Sequence, residues 1–282
     1  MSRVLIIGAN SFDSGKTQLA INVGLALIES GLSVGYFKPI SGHNYWYHYE
    51  HTKWCMERGQ LVSKDATSVR NALGIESDLL LMNPIHSLFV PARIRRPLQN
   101  LPNSLALSGS TSVLVMQRFS KPTKRGIDTT MLVADELVDG QQLMIGPDEI
   151  GRLSYGAAIL NANSLEAFQE YERLHYETSV TGSFAGVEKE TDLVIIESFN
   201  DSAWPWERLE SVDNVLVVSP GHVFGYDPER FRRAAFLMKR GNLPIREVTF
   251  GRMADLLKPT AAIIMEPNTG FTSDQLKELG IG

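Results

Sequence analysis

The chain has one cysteine, Cys55, among 282 residues, so no internal disulfide can staple it, and no Cys/His set has zinc-finger spacing. That usage fits a reducing, cytosolic setting. Positive charge is not in excess either: 27 Lys and Arg against 32 Asp and Glu give a net charge of −5, with a pI near 5.7. Sequence-independent nucleic-acid binding needs a basic face, so that class is disfavoured. No apolar run approaches the roughly 18 residues of a membrane span, and the apolar part of the opening "MSRVLIIGAN" is too short for a signal peptide. Internal repeats, low-complexity tracts and linker-like stretches are lacking too. What is there is an ordinary globular composition, 43% hydrophobic and 21% charged, with enough apolar residues for a sizeable core. The expectation is a soluble, cytoplasmic protein with neither nucleic acid nor membrane as partner.

The stretch "VLIIGANSFDSGKTQLA" (4–20) carries the most chemistry. A β-branched, wholly apolar run of the kind buried on both faces of a parallel sheet leads into a turn. A helical pattern then runs from Gly15 to a stop at Gly31. The pattern G-x-x-x-x-G-K-[ST] places backbone N–H groups and a helix N-terminus around phosphate oxygens, with the lysine on the β and γ phosphates and the hydroxyl on Mg²⁺. Lys16 and Thr17 stand in those places, but Asn10 replaces the first glycine. Asparagine tolerates the left-handed turn better than most residues, so it can serve there. Asn10, Ser11, Asp13, Ser14, Gly15, Lys16, Thr17 and Gln18 are therefore candidate nucleotide-binding residues. The bland alternative is a serine-capped helix start with a solvated lysine.

Further along, "SVGYFKPIS" (33–41) is read as the next strand, broken by Pro39, which completes a βαβ unit. Helices are expected at 63–75, 163–180 and 227–241, the last with Asp227 as cap, Pro228 in first position and Gly241 as stop. Core strands are expected at 192–199, 214–221 and 261–270, with a closing helix after the last. The runs 112–119 and 129–137 flank a basic turn-rich stretch and suggest a β-hairpin projecting from the main sheet, with "QQLMI" as a possible third strand. Strands alternating with helices give an α/β class: a mainly parallel sheet flanked by helices, of the P-loop NTPase type. One domain over 1–282 is expected, with 98–160 as an insertion containing the hairpin.

Several segments in order resemble dethiobiotin synthetase and its relatives, which include an N-terminal domain of some phosphotransacetylases. The matching stretches are "FDSGKT", "GYFKPISG", "SKDATSVRNALG", "NPIHSLFVPAR" and "DLVIIESF". They cover 1–95 and about 190–240. The resemblance implies an ATP-dependent ligase or ATPase working as a homodimer, with Lys16 on the phosphates and Thr17, Asp65 and Glu197 around Mg²⁺. It implies Lys38 facing the reacting group of a second, small-molecule substrate, with Ser41 nearby, and makes Lys16 and Lys38 the catalytic pair. Mg²⁺ takes hard oxygen donors and keeps several waters, so one hydroxyl and two carboxylates suffice. Asn268, in the turn after "AAIIMEP", falls where relatives bind adenine. Each has a plainer explanation: Lys38 as an exposed strand-end lysine, Asp65 as a helix cap, Asn268 as a turn residue. Glu197, an acid ending an apolar strand, is the hardest to explain by packing.

The departures lie on the substrate side. The family's glycine-rich E-G-A-G-G reads "ESFND" here, putting Ser198 and its neighbours where bare backbone approaches the substrate. Its L-G-x-I-N is only partly matched by "FGYDPER", where Gly225 survives but Asp227 would repel a carboxylate. Ser198 and Gly225 join Lys38 and Ser41 as substrate-side candidates. The stretch "GHNYWYHYEHTKWC" (42–55), with His43, His48 and His51, is read as a lid or an interface, since no acid–histidine spacing supports a transition-metal site. "PARIRRP" (91–97) is read as a solvated basic loop, or as a clamp for an anionic substrate. The function expected is a Mg²⁺- and ATP-dependent, synthetase-like ATPase acting on a small anionic or carboxylated-amine substrate. The alternative is a nucleotide-sensing regulatory module with little turnover.

Overall fold

The computed structural model describes residues 1–93, 112–266 and 269–281. Asn268, residues 94–97 of the basic loop and residues 98–111 of the expected insertion lie outside the described residues.

Two sheets form the scaffold. In the first, β1 (Ser2–Gly8) lies between β8 (Leu193–Glu197) and β9 (Asn214–Ser219), and β2 (Val34–Phe37) extends the sheet beyond β8, all four strands parallel. Val4 to Ile7, Val194 to Ile196 and Val215 to Val218 are buried, which is why these strands are unbroken apolar runs rather than alternating ones. Beyond β9 the sheet turns antiparallel. Gly221, with φ of 79°, lets the chain double back into β10 (His222–Tyr226), and β11 (Ala261–Ile264) pairs antiparallel with β10 at the edge. The mainly parallel sheet expected is therefore a mixed one. The strand expected to close the core is an edge strand, in which only Ile263 is buried.

The second sheet has the order β3 (Ile40–Asn44), β4 (Ile85–Pro91), β5 (Ser112–Thr123), β6 (Gly126–Val133), β7 (Ala158–Asn161). β5 and β6 make the expected hairpin, which occupies the centre of this sheet rather than projecting from the first: β4 pairs with β5, and β7 lies parallel to β6. "QQLMI" is not a third strand; Leu143 makes an isolated bridge with Ala92. The expected strand 33–41 is two strands in different sheets. Pro39 has no N–H to give to a ladder, and the chain leaves the first sheet after Phe37 to enter the second at Ile40. Lys38 sits at that crossing, its backbone N–H donating to Met82 O at 2.8 Å.

Among the described residues the α-helices are α1 (Lys16–Glu29), α2 (Tyr49–Arg58), α3 (Lys64–Leu73), α4 (Leu79–Met82), α5 (Asp135–Asp139), α6 (Pro147–Leu153), α7 (Leu165–Glu188), α8 (Pro228–Met238) and α9 (Ser273–Glu278). α8 is capped by Asp227, as expected, but stops at Met238. α1 and α3 pack closely because Gly24 has no side chain: a Cβ there would stand 2.5 Å from Leu73 Cδ1. α7 touches β2 and β8 of one sheet and β4 and β5 of the other, so it binds the two together. Phe37, Phe184 and Trp206, with ring centroids 5.1 to 5.7 Å apart, fill part of that junction. Among the described residues no helix is long and apolar enough to cross a membrane.

Candidate functional site

The turn after β1 is built by two short-range devices. Ser14 Oγ donates to Asn10 O at 2.7 Å and accepts from Asn10 N at 3.2 Å, closing a loop over Ser11 to Asp13. Gly8 has no room for a side chain, since a Cβ would lie 2.6 Å from Ser14 Oγ and 2.8 Å from Asn10 O. The left-handed positions are Asp13 (φ 52°) and Gly15 (φ 90°); Asn10 is not one of them, so it does not replace the absent glycine in the way expected. The structure also removes the serine-cap alternative. Ser14 is spent on the loop, the N-cap of α1 is Gly15, and no side chain caps the helix. The first N–H groups of α1 thus face outward beside Lys16 and Thr17.

Opposite this helix end, three charged side chains meet. Lys38 Nζ donates to Glu197 Oε1 at 2.7 Å and also pairs with Asp65. Glu197, wholly buried at the end of β8, further accepts from Tyr36 OH at 2.7 Å and from Thr17 Oγ1 at 3.3 Å. Lys38 is neither exposed nor solvated. Asp65 does not cap α3, because Ser63 does so by accepting from Ala66 N; its carboxylate is free to reach Lys38. Burial alone would lower the Lys38 pKa, but Glu197 and Asp65 outweigh it and raise the ammonium above its ordinary value. Lys38 in turn holds the Asp65 carboxyl below the usual range. Lys16 is shifted down, chiefly by burial and further by Lys38, with Glu197 and Asp65 pulling the other way.

These groups line one cavity of about 1020 Å³. Ser11 to Gln18 form one wall, and Lys38, Ser41, His43, Asp65 and Glu197 converge from the others; the exposed rings of Phe12 and Tyr47 stand at its rim. Thr17, Asp65 and Glu197 are hard oxygen donors, and both carboxylates already reach one cation, the Lys38 ammonium. That donor set fits Mg²⁺ with several retained waters.

The remaining expected residues are placed as follows. Gln18 donates to Asn22 Oδ1, and Asn22 donates to Thr269 O, tying α1 to Thr269. Asn10 is exposed and does not line the cavity. Ser198 is fully buried behind it, its hydroxyl without a hydrogen-bond partner among the described residues. Gly225 lies in β10 between Leu216 and Ala261 and does not line it either. Phe199 and Asn200 do, and Asn200 takes a left-handed turn (φ 49°) beside Gly8. Asp201 accepts from Ser11 Oγ at 3.1 Å and so fastens the loop.

Several polar residues here carried no signal in the sequence. His86 is fully buried and bonds both Ser41 (2.6 Å) and His43 (2.7 Å). Asn83 donates to Lys38 O and Ile85 O, fixing the strand crossing. Arg118 is buried and forms no ion pair among the described residues: its guanidinium donates to Leu61 O, Asn83 O and Ser120 Oγ, and burial brings its pKa down to about 9. His43, His48 and His51 do gather, with ring centroids 5.2 to 6.2 Å apart, but the nitrogens of His43 are taken by His86 and Thr52. Among the described residues no group of three or more His, Cys, Asp and Glu side chains is arranged to hold a metal ion. A clue was present in Ser41 and His43, which the period of two puts on one face of a strand.

No family model, no curated protein and no solved structure matches this chain.

Proposed function

We propose that the chain is a Mg²⁺- and ATP-dependent enzyme of the P-loop NTPase type, related to dethiobiotin synthetase. It transfers the γ-phosphoryl group of ATP to an anionic oxygen of a small co-substrate, driving bond formation or releasing phosphate. One observation carries the reading: the uncapped start of α1, with Lys16 and Thr17, opens onto a cavity of about 1020 Å³ in which Lys38, Asp65 and Glu197 converge. An uncapped helix N-terminus is a site for an anion, and three acid or base groups held together beside it are hard to explain by packing. In this reading the loop N–H groups and Lys16 hold the phosphates. Thr17, Asp65 and Glu197 would hold Mg²⁺, which would supply charge neutralisation at the phosphate oxygens. Lys38 stabilises charge on the reacting oxygens. By the same resemblance the protein is a cytoplasmic homodimer.

A second reading, a nucleotide sensor with little turnover, draws on Phe199 and Asn200. Their side chains stand in the cavity wall where the synthetases keep bare glycine.

Phosphate release from Mg·ATP by the wild type and by Lys16→Ala tests the proposal, with and without 7,8-diaminopelargonate and bicarbonate. Release that is lost in the variant supports an enzyme, and stimulation by the pair makes the substrate that of the synthetases. Tight ATP binding with no release under either condition favours the sensor.

A further inference from the structure

Ser41 and His86 are register partners on the parallel strands β3 and β4, and His43 follows Ser41 by two residues on the same face. From this arises an unbroken buried chain: Ser41 Oγ to His86 Nδ1 at 2.6 Å, His86 Nε2 to His43 Nδ1 at 2.7 Å, His43 Nε2 to Thr52 Oγ1 at 2.9 Å. Each end has a further acceptor. Ser41 Oγ lies 3.0 Å from Asn83 Oδ1, and Thr52 Oγ1 lies 3.2 Å from His48 O. Only the Ser41 end and His43 reach the cavity; His86 and Thr52 do not line it.

With both rings neutral, Ser41, His86, His43 and Thr52 carry one proton each, four protons for the five contacts just named. Two arrangements avoid a lone-pair clash inside the chain. In the outward one, Ser41 donates to His86, His86 Nε2–H to His43, His43 Nε2–H to Thr52, and Thr52 to His48 O. In the inward one every donor reverses, both rings carry their proton on Nδ1, and Ser41 donates to Asn83 Oδ1. The outward arrangement leaves a Ser41 lone pair unengaged, at a residue that lines the cavity.

We propose that this chain is the proton acceptor for the water that attacks the γ-phosphoryl group in the phosphate-releasing reaction, an attack that, unlike that of an anionic oxygen, must shed a proton; the proposal rests on the function proposed above. The attacking group gives its proton to Ser41 Oγ while Ser41 passes its own to His86 Nδ1. His86 passes its Nε2 proton to His43 Nδ1. The attacking atom keeps the electron pair, and the positive charge rests on His43, which lines the cavity and can return the proton there. Burial is the largest influence on both rings and opposes that charge, so His43 holds it only in passing; Asp65 favours it, Lys64 opposes it along with any protonation of His48 and His51, and Arg118 and Lys38 act on His86. Ser41 is the catalytic residue, and His86, His43 and Thr52 act through it.

Histidine ¹⁵N NMR of the free protein tests the coupling without any ligand. A buried N–H without an acceptor is rarer than an unsatisfied acceptor. Ser41→Ala therefore sets both rings to Nε2–H, and Thr52→Val sets both to Nδ1–H, each variant fixing the ring it does not touch. Rings that respond independently overturn the chain. The catalytic use is read from Mg·ATP hydrolysis, with water as the attacking group. Ser41→Ala, His86→Asn and the isosteric, remote Thr52→Val should each lower kcat, the first two by about 100-fold, with Kd for Mg·ATP within about twofold of wild type. In His86→Asn the rate should keep rising with pH where the wild type levels off, because hydroxide replaces the chain. Unchanged kcat and pH profile with ATP still bound overturn the relay and leave the proposed function standing. Failure of the wild type to bind Mg·ATP overturns the function and, with it, this use of the chain.

Discussion

Lys38 is held by two carboxylates and a crossing of strands, so its charge is structural as well as chemical. Replacing it by methionine would leave Glu197 fully buried with its charge uncompensated, and breaking such a pair costs about 3–5 kcal/mol. Urea unfolding of Lys38→Met at neutral pH should show a loss of that order; a loss below about 1 kcal/mol would mean that Tyr36 and Thr17 suffice for Glu197. The two pKa directions set the pH window. The stability from Asp65, whose pKa is depressed, is present above about pH 4 and disappears as pH falls through its folded value. That from Lys38, whose pKa is raised, is present below about pH 10 and disappears as pH climbs through its folded value. The triad was legible in the sequence as three separate candidates, each with a plain alternative. Geometry decides between them, because Ser63 takes the capping role that Asp65 was suspected of filling. The residues around them were not legible. A buried histidine such as His86 or an arginine such as Arg118 carries no periodic signature, since its partners are backbone carbonyls and side chains distant in sequence.

At the scale of elements, the site depends on how α1, α3 and the β2–β3 crossing are set against one another. Gly24 governs the first of these contacts. Gly24→Ala would drive its Cβ into Leu73 and push α3, with Asp65, away from Lys16; overpacking of this kind costs about 1–3 kcal/mol. Calorimetry should find the variant destabilised by that amount, and the same Gly24→Ala change should cost less in a Leu73→Ala background; an equal cost in both would place the strain elsewhere. The strand, loop and helix at 3–31 were readable because local signals agree there: an apolar run, a turn, then helical spacing. Residues 33–41 were misread as one strand for a physical reason. A proline ends pairing in one ladder, but nothing local says that the chain then joins a second sheet. α2, β4, β7 and β10 were missed for similar reasons: their short segments draw support from neighbours far along the chain, as His222 to Tyr226 do from β9 and β11.

For the whole molecule, the second sheet brings the cost of a buried polar interior. Burial, with the neighbouring rings, holds the pKa of His43 down to about 3 and that of His86 well below its ordinary value, so both are neutral in the resting folded chain. Once unfolded, each binds a proton below about pH 6.5, so stability falls with falling pH by about 1.4 kcal/mol per pH unit per histidine between those limits. Urea unfolding at pH 7.5, 6 and 5 should show that slope in the wild type and a reduced one in His43→Gln. An unchanged slope would mean that other groups drive acid unfolding. The α/β class was foreseeable from alternating strand and helix patterns. The division into two mixed sheets was not, because it depends on which strands pair.

The central claim is that the loop, Lys16 and the three converging side chains form a nucleotide site. Isothermal titration of ATP into the wild type, with and without Mg²⁺, and into Lys16→Ala tests it most directly. The account predicts Mg²⁺-dependent binding in the roughly micromolar-to-millimolar range usual for substrates, weakened about 30-fold or more in the variant. No heat of binding in the wild type, or equal affinity in Lys16→Ala, would contradict it.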